Sequence, residues 1–146
     1  RQHTANAIYD GDNYTENYYK DLLDANKNII ISSPAISGQK VYELINMLKE
    51  KQASGVQITI VTWTPDSYGF GDAAYWMQLH EDMCKAGFYI KTVEESCERF
   101  AVIDQEVVWY GNINLLAKTK VDDSIMRVLS NEIAGELMEI TFGDNS

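Results

Sequence analysis

Two short segments of the sequence carry side chains that can act on a phosphate group. The first places a thiol and a guanidinium two residues apart, at Cys97 and Arg99, and the second supplies the amide of Asn114. A thiolate can act as a nucleophile, and a guanidinium binds phosphate through two parallel hydrogen bonds. Residues two apart on a strand share a face, so Cys97, Arg99 and Ala101 are expected to point together. Side chains that point together in this way can converge on one small group.

Each of these residues also has a structural interpretation. Arg99 can form an ion pair with Asp104, with Asp123 or with a carboxylate of a partner chain. Asn114 can satisfy backbone groups at the start of a short helical turn. Asp104 and Gly111 are typical of hairpin turns, which favours a role in maintaining the fold.

The spacing resembles the motif of the phospholipase D superfamily. In that motif His, any residue and Lys are followed after four residues by Asp, and after six more by Gly-Ser-x-Asn, and every gap length agrees here. Three positions match, namely Asp104, Gly111 and Asn114. Three positions differ: Cys97 replaces His, Arg99 replaces Lys and Asn112 replaces Ser.

The resemblance covers most of the chain, from Ile8 to Glu139. This part of the chain is similar to the phospholipase D-like domain attached to bacterial helicase-like proteins, particularly in segments 107–111 and 122–127. Asp123 takes the place of the acidic residue that follows the Gly-Ser-x-Asn turn in that group. The site residues that the resemblance implies are Cys97, Arg99 and Asp104 as catalytic residues, Arg99, Asn112 and Asn114 for phosphate binding, and Gly111 and Asp123 in support.

The family chemistry implies a partner. There a His attacks phosphorus, Lys and Asn hold the phosphate oxygens, and a second His from a paired motif protonates the leaving oxygen. One motif supplies half of such a site, so the resemblance implies a homodimer that pairs through the motif face, meaning the surface around Cys97, Arg99 and Asn114.

The substitutions bear on activity. Glu94, Glu95 and Glu98 lie close to Cys97 in sequence and are expected to raise the pKa of its thiol. A thiol also cannot replace imidazole as the acid and base near neutral pH. Arg99 still binds phosphate. We therefore expect a degenerate phosphodiesterase that binds phosphate or nucleic acid and dimerises.

Two alternatives stay open. The first is an active phosphodiesterase or nuclease that uses Cys97 or another group in the His role. The second is an unrelated α/β domain of the receiver or nucleotide-binding kind. The latter needs a glycine-rich loop after the first strand, and segment 32–38 is not one.

The elements that must position these residues follow from hydrophobic periodicity. Amphipathic patterns predict helices at 16–26, from 38 to about 51, at 72–85 and from Asn131 onward. Apolar runs predict strands at 29–31, 57–62, 88–93, 99–103, 107–110 and 125–129, with a tight hairpin at Asp104-Gln105-Glu106. The alternation of strands and helices in the first half predicts an α/β fold: a mixed, largely parallel sheet with helices on both faces, the three-layer sandwich of the phospholipase D-like fold.

Length and charge limit the function further. The 146 residues predict one domain over 1–146, and a start at Arg1 indicates a domain excised from a longer chain. The net charge of −10 disfavours tight DNA binding by this chain alone. With only two cysteines and no signal peptide or apolar run long enough to span a bilayer, we expect a cytoplasmic domain without membrane association.

The remaining candidates favour structural roles. His80 and Cys84 fit helix packing, and no spacing of Cys and His predicts a metal or other cofactor. The loop from Pro65 to Gly71 could hold a ligand. Aromatic residues in and around it could stack on bases, although a core or dimer contact is favoured because no basic residue interleaves them: Trp63, Tyr68, Phe70, Tyr75 and Trp76.

Overall fold

The computed structural model describes residues 6–67 and 72–143. The strands are β1 (Ala7–Asp10), β2 (Asn28–Ser32), β3 (Gln57–Trp63), β4 (Tyr89–Val93), β5 (Phe100–Ile103), β6 (Val107–Gly111) and β7 (Ser124–Leu129). The helices are α1 (Thr15–Leu23), α2 (Gly38–Ala53), α3 (Ala73–Lys85) and α4 (Asn131–Met138), followed by a π-helical turn at Glu139–Gly143. Tyr68 and Phe70 lie outside the described residues.

All seven strands form one sheet in the order β1-β7-β6-β5-β2-β3-β4. Only the β2–β3 and β3–β4 pairs are parallel, and the other four pairs are antiparallel. The mixed α/β fold with helices on both faces is confirmed. The expectation of a largely parallel sheet holds only for the β2-β3-β4 half, because β5 pairs with β2 in the opposite direction and starts an antiparallel second half.

Hydrophobic side chains from both faces of the sheet build two cores. The larger one packs α1, α2 and α3 against residues such as Ile29, Ile31 and Ala101. The smaller one packs α4 against Phe100 and Val102, among others. Successive residues of β5 therefore alternate between the two cores, as a strand buried on both faces must.

Serine residues cap the starts of α2 and α4, and α2 begins at Gly38 as expected. Ser37 caps α2 through its Oγ, which accepts from the Lys40 amide at 3.3 Å. At α4 the cap is Ser130, whose Oγ accepts from the Ile133 amide at 3.0 Å, and Asn131 is the first helical residue. Among the helices so described, none is long and apolar enough to cross a membrane.

The predicted hairpin between β5 and β6 is confirmed. Asp104 and Gln105 have φ values of 55° and 59°, and the Glu106 amide donates to the Ile103 carbonyl at 3.0 Å. Two successive positive φ values define the type I′ turn, which matches the twist of the strands it joins. The turn places β5 and β6 side by side, and this brings the residues before β5 close to those after β6.

Candidate functional site

Arg99 and Asn114 form the centre of the site. Arg99 directly precedes β5 and Asn114 follows β6, so the hairpin brings the two half-buried side chains together. Arg99 Nε donates to Asn114 Oδ1 at 3.1 Å. This bond fixes the plane of the guanidinium, and the guanidinium makes no other hydrogen bond or ion pair within residues 6–67 and 72–143. The two terminal nitrogens are therefore available to an anion such as phosphate.

The expected ion pairs of Arg99 do not form within the chain. Asp104 lies at the far end of β5 and binds the amides of residues 26–28 instead. Asp123 accepts from the Lys120 amide at 3.0 Å, and its carbonyl accepts from the Gly11 amide at 3.0 Å. Both carboxylates therefore hold loops, and neither neutralises the guanidinium.

Asn114 makes two contacts, one through its side chain and one through its backbone carbonyl. Its side chain accepts from Arg99, while its carbonyl accepts from the Ala117 amide at 3.2 Å and closes a short turn. Ser33 holds this turn from the end of β2, since its Oγ accepts from the Leu116 amide at 3.1 Å. The position of the Arg99 partner is thus fixed by buried backbone contacts.

Cys97 occupies a separate position beside this pair. Its Sγ lies 3.5 Å from the hydroxyl of Ser32, the last residue of β2. The thiol opens onto a cavity of about 140 Å³. The cavity is lined by Ser32, Val61, Val93, Ser96, Cys97, Glu98, Ile140 and Thr141.

The expectation that Cys97, Arg99 and Ala101 point together is not confirmed. Cys97 packs against the smaller core under α4, whereas Ala101 belongs to the larger core on the opposite face. Alternation fails because residues 96–99 are not part of the strand, which begins only at Phe100. The link between Cys97 and Arg99 is electrostatic, through the guanidinium charge that acts on the thiol.

Burial raises the pKa of the Cys97 thiol above its ordinary value. The Ser32 hydroxyl and the charge of Arg99 act in the opposite direction, and Glu98 adds to the increase. Ser32 Oγ donates to the Glu98 carbonyl at 2.6 Å, so its single proton can stabilise a thiolate only by leaving that carbonyl. The thiol form is therefore favoured at neutral pH.

Alkylation tests this environment. In a Cys84→Ser background, the rate of Cys97 modification by iodoacetamide should rise with a midpoint above the pH of about 8.5 typical of free cysteine. Arg99→Ala removes a positive charge and should move the midpoint up, whereas Glu98→Gln should move it down. A midpoint below that of a free cysteine peptide would contradict the buried, protonated thiol.

Asn112 and Gly111 join β6 to β7. The Asn112 amide donates to the Ser124 carbonyl at 3.0 Å, and Asn112 Oδ1 accepts from the Ser124 amide at 2.9 Å. A side chain at Gly111 would overlap the Ser124 carbonyl, which explains the glycine. No hydrogen bond joins the Asn112 side chain to Arg99 or Asn114 within the described residues, and the phosphate-binding role expected of Asn112 stays a prediction.

Two contacts at the site were not predicted. Ser32 reaches both Cys97 and the Glu98 carbonyl, and Tyr110 donates its hydroxyl to Glu98 Oε1 at 2.8 Å. Register explains both, because Phe100 of β5 lies opposite Ser32 on one side and Tyr110 on the other. The local hydrophobic pattern does not predict the strand order that creates this register.

Comparison with known proteins places this arrangement in a family. A family model described as cardiolipin synthase, PLD-like domain, matches residues 18–141. The search of curated proteins gave no significant match.

The fold is similar to three solved structures. NucT from Helicobacter pylori superposes with a TM-score of 0.66 at 10% identity, covering 92% of this chain and 91% of the other. Nuc, a phospholipase D family member from Salmonella typhimurium, gives 0.64 at 13% identity, with 93% and 90% covered. TrmBL2, an archaeal chromatin protein with a novel mode of DNA binding, gives 0.66 at 14% identity, with 92% and 49% covered. Because the family model spans most of the sequence, the chain belongs to the phospholipase D-like family.

Proposed function

We propose that this chain is a phosphate-binding module of the phospholipase D superfamily that binds nucleic acid and pairs with a second copy, but has lost the standard hydrolysis. The observation that carries the proposal is the Arg99–Asn114 pair, which presents an otherwise unpaired guanidinium while the neighbouring thiol stays protonated. Binding and chemistry use different groups in this family, so one can persist without the other.

The loss of hydrolysis is argued from the missing imidazole. Phosphodiester cleavage by this motif needs a nucleophile and a proton donor whose pKa lies near neutral pH. His80 is the one histidine among the described residues, and it lies in α3 with Nε2 buried and unpartnered. Burial lowers the pKa of His80, as expected of a packing residue. A raised thiol pKa at Cys97 supplies neither role.

Nucleic acid is the polymer that we propose as ligand. TrmBL2, which shares the fold, is a chromatin protein that binds DNA. The similarity of segments 107–111 and 122–127 to domains of helicase-like proteins leads us to place the module in such a protein. A chain with a net charge of −10 is expected to bind weakly and with strong salt dependence.

Binding tests the proposal. A fluorescent single-stranded oligonucleotide should bind the wild-type chain at low salt, and Arg99→Ala should weaken that binding by about tenfold because a charge-assisted phosphate contact is lost. Lys27→Ala removes the same charge from an exposed position outside the site. Equal affinities of the Arg99→Ala and Lys27→Ala variants for the oligonucleotide would contradict the proposed role of Arg99.

Pairing through the motif face has support in an exposed apolar row. Ile8, Met126 and Tyr110 lie side by side across β1, β7 and β6, with 75%, 40% and 38% of their surfaces exposed. Phe100, which directly follows Arg99, pairs with Tyr110 at the end of the row and is itself buried. Such a row beside a half-site fits the second copy that the composite site requires.

Solution mass tests this pairing. Light scattering should give twice the 16.6 kDa of one chain. The substitution Met126→Asp should shift the protein to monomer, because a carboxylate at a dry interface is not solvated. Leu23→Asp alters an exposed apolar residue on α1 and should leave the dimer intact. A wild-type monomer at high concentration would contradict the pairing.

A second candidate function is retained hydrolysis with Cys97 as nucleophile. The favouring observation is that the thiol opens onto a cavity of about 140 Å³ and feels the charge of Arg99. Attack by sulfur on phosphorus would form an S–P bond and break the P–O bond to the leaving alcohol, which takes up the thiol proton. Water would then cleave the S–P bond, which regenerates the thiol and leaves a phosphate monoester. Turnover that disappears in Cys97→Ser would favour this candidate over the binding module.

A further inference from the structure

A polar cavity of about 390 Å³ lies between the start of α2 and the loop that joins β6 to β7. It is lined by Ser37, Gln39, Lys40, Lys118 and Thr119. Two lysines line it, and no acidic residue does. In a chain with ten more acidic than basic residues, this local excess of positive charge is unusual.

Both lysines are available to a ligand. Neither Lys40 nor Lys118 forms a hydrogen bond through its ammonium group or an ion pair with any residue that the structure describes. They come from different elements, one from the first turn of α2 and the other from a loop, so helix formation alone does not explain their convergence. Backbone contacts hold these elements together, because the Ser37 amide donates to the Leu116 carbonyl at 2.8 Å.

One turn of the chain connects Asn114 to the cavity, because Leu116 in that turn bonds Ser33, which follows β2, and Ser37, which lines the cavity. The turn that begins at Asn114, the partner of Arg99, closes at Ala117, and Lys118 follows directly. A chain that places one phosphate at Arg99 can therefore run along this turn toward the two lysines. A polymer with regularly spaced phosphates fits such an arrangement.

We infer that the cavity lined by Lys40 and Lys118 is a second phosphate subsite, which holds a neighbouring phosphodiester of a single-stranded nucleic acid bound at Arg99. This inference rests on the proposed function and extends it to a named contact. All the lining side chains are polar, which favours a phosphodiester backbone over a lipid surface, where apolar side chains must also insert. Two cations in an acidic chain make the contact sensitive to salt.

The test compares paired variants in oligonucleotide binding. Lys40→Ala with Lys118→Ala should weaken binding of a fluorescent single-stranded DNA by about tenfold at low salt. The slope of log affinity against log salt should become shallower by roughly 1.4, which corresponds to two lost contacts on a single strand. The control, Lys49→Ala with Lys85→Ala, removes two exposed lysines of α2 and α3 and the same net charge. Lys40→Arg with Lys118→Arg should restore most of the binding.

The outcomes separate this inference from the proposed function. If Arg99→Ala weakens binding but the Lys40 and Lys118 pair behaves like its control, the subsite is overturned and the function stands. If the wild-type chain binds no strand at all, both are overturned. Binding of anionic lipid vesicles in place of the strand would likewise overturn the subsite. Thermal melting of every variant confirms that the proteins compared are folded.

Discussion

Replacing Asp21 by alanine is expected to lower the free energy of unfolding by about 3 kcal/mol, or the melting temperature by roughly 10 °C. Asp21 of α1 accepts from Arg127 Nε at 2.6 Å and from Trp109 Nε1 at 2.8 Å. Only 13% of each ionic side chain is exposed. The alanine variant would leave a guanidinium and an indole N–H buried without this acceptor, which costs more than the pair contributes.

A matched substitution on the same helix isolates this effect. Asp24 forms an ion pair with Lys20 at 3.4 Å, and both side chains are mostly exposed. Asp24→Ala should therefore leave the stability almost unchanged. The double variant Asp21→Leu with Arg127→Met should recover part of the loss, because it removes both charges. Equal melting temperatures for the Asp21 and Asp24 variants would contradict a stabilising role for the buried pair.

Restoring the family residues is expected to create hydrolysis. The variant Cys97→His, Arg99→Lys and Asn112→Ser should cleave an activated phosphodiester at least about 100-fold faster than the wild-type chain, because imidazole supplies acid and base near neutral pH. A bell-shaped pH profile should accompany the gain. Cys84→His adds an imidazole in α3, outside the site, and should show no gain.

The outcome also distinguishes the two candidate functions. Activity that appears only in the triple variant identifies the natural chain as a degenerate enzyme. Activity of the wild-type chain that depends on Cys97 would instead show a non-standard nucleophile. Replacing Asn112 by serine is expected to lower the stability of the triple variant slightly. Asn112 Oδ1 accepts from the Ser124 amide, and the shorter serine side chain does not reach that amide.

Local patterns predicted most elements but not their arrangement. The strand predicted from the isoleucine run and the helix predicted from the amphipathic pattern are confirmed as β2 and α2. Such elements are predictable because residues buried against a core recur with the period of the strand or helix. The strand β1 was missed, since it has four residues, sits at the sheet edge and pairs with β7 more than 110 residues away. The sheet was expected to be largely parallel for a related reason. Hydrophobic periodicity indicates which residues are buried, but it does not indicate which strands pair or in which direction.

The site was predictable where spacing decides it. The family resemblance assigned Arg99 and Asn114 to the same phosphate, which stays a prediction, and the structure joins the two side chains by a hydrogen bond. The resemblance did not indicate that Cys97 packs against the smaller core or that the Ser32 hydroxyl contacts the Cys97 thiol. Those features depend on where β5 begins and on its register with β2.

Asp104 illustrates how a motif residue can serve the fold. Its carboxylate accepts from the amides of Asn26, Lys27 and Asn28, at distances of 2.7–3.2 Å. These bonds connect the hairpin turn to the start of β2, the strand that ends at Ser32. These bonds favour the structural interpretation of Asp104 as a positioning residue, and its catalytic role stays a prediction.

We propose that the chain keeps the phosphate contact of the family without its hydrolysis, and one measurement tests both properties. Wild-type chain in excess is incubated with an end-labelled single-stranded oligonucleotide at low salt, and bound and cleaved fractions are determined from the same sample. We predict that the strand is bound through Arg99 and recovered intact. Cleavage that persists through purification and is lost in Cys97→Ser would contradict the account.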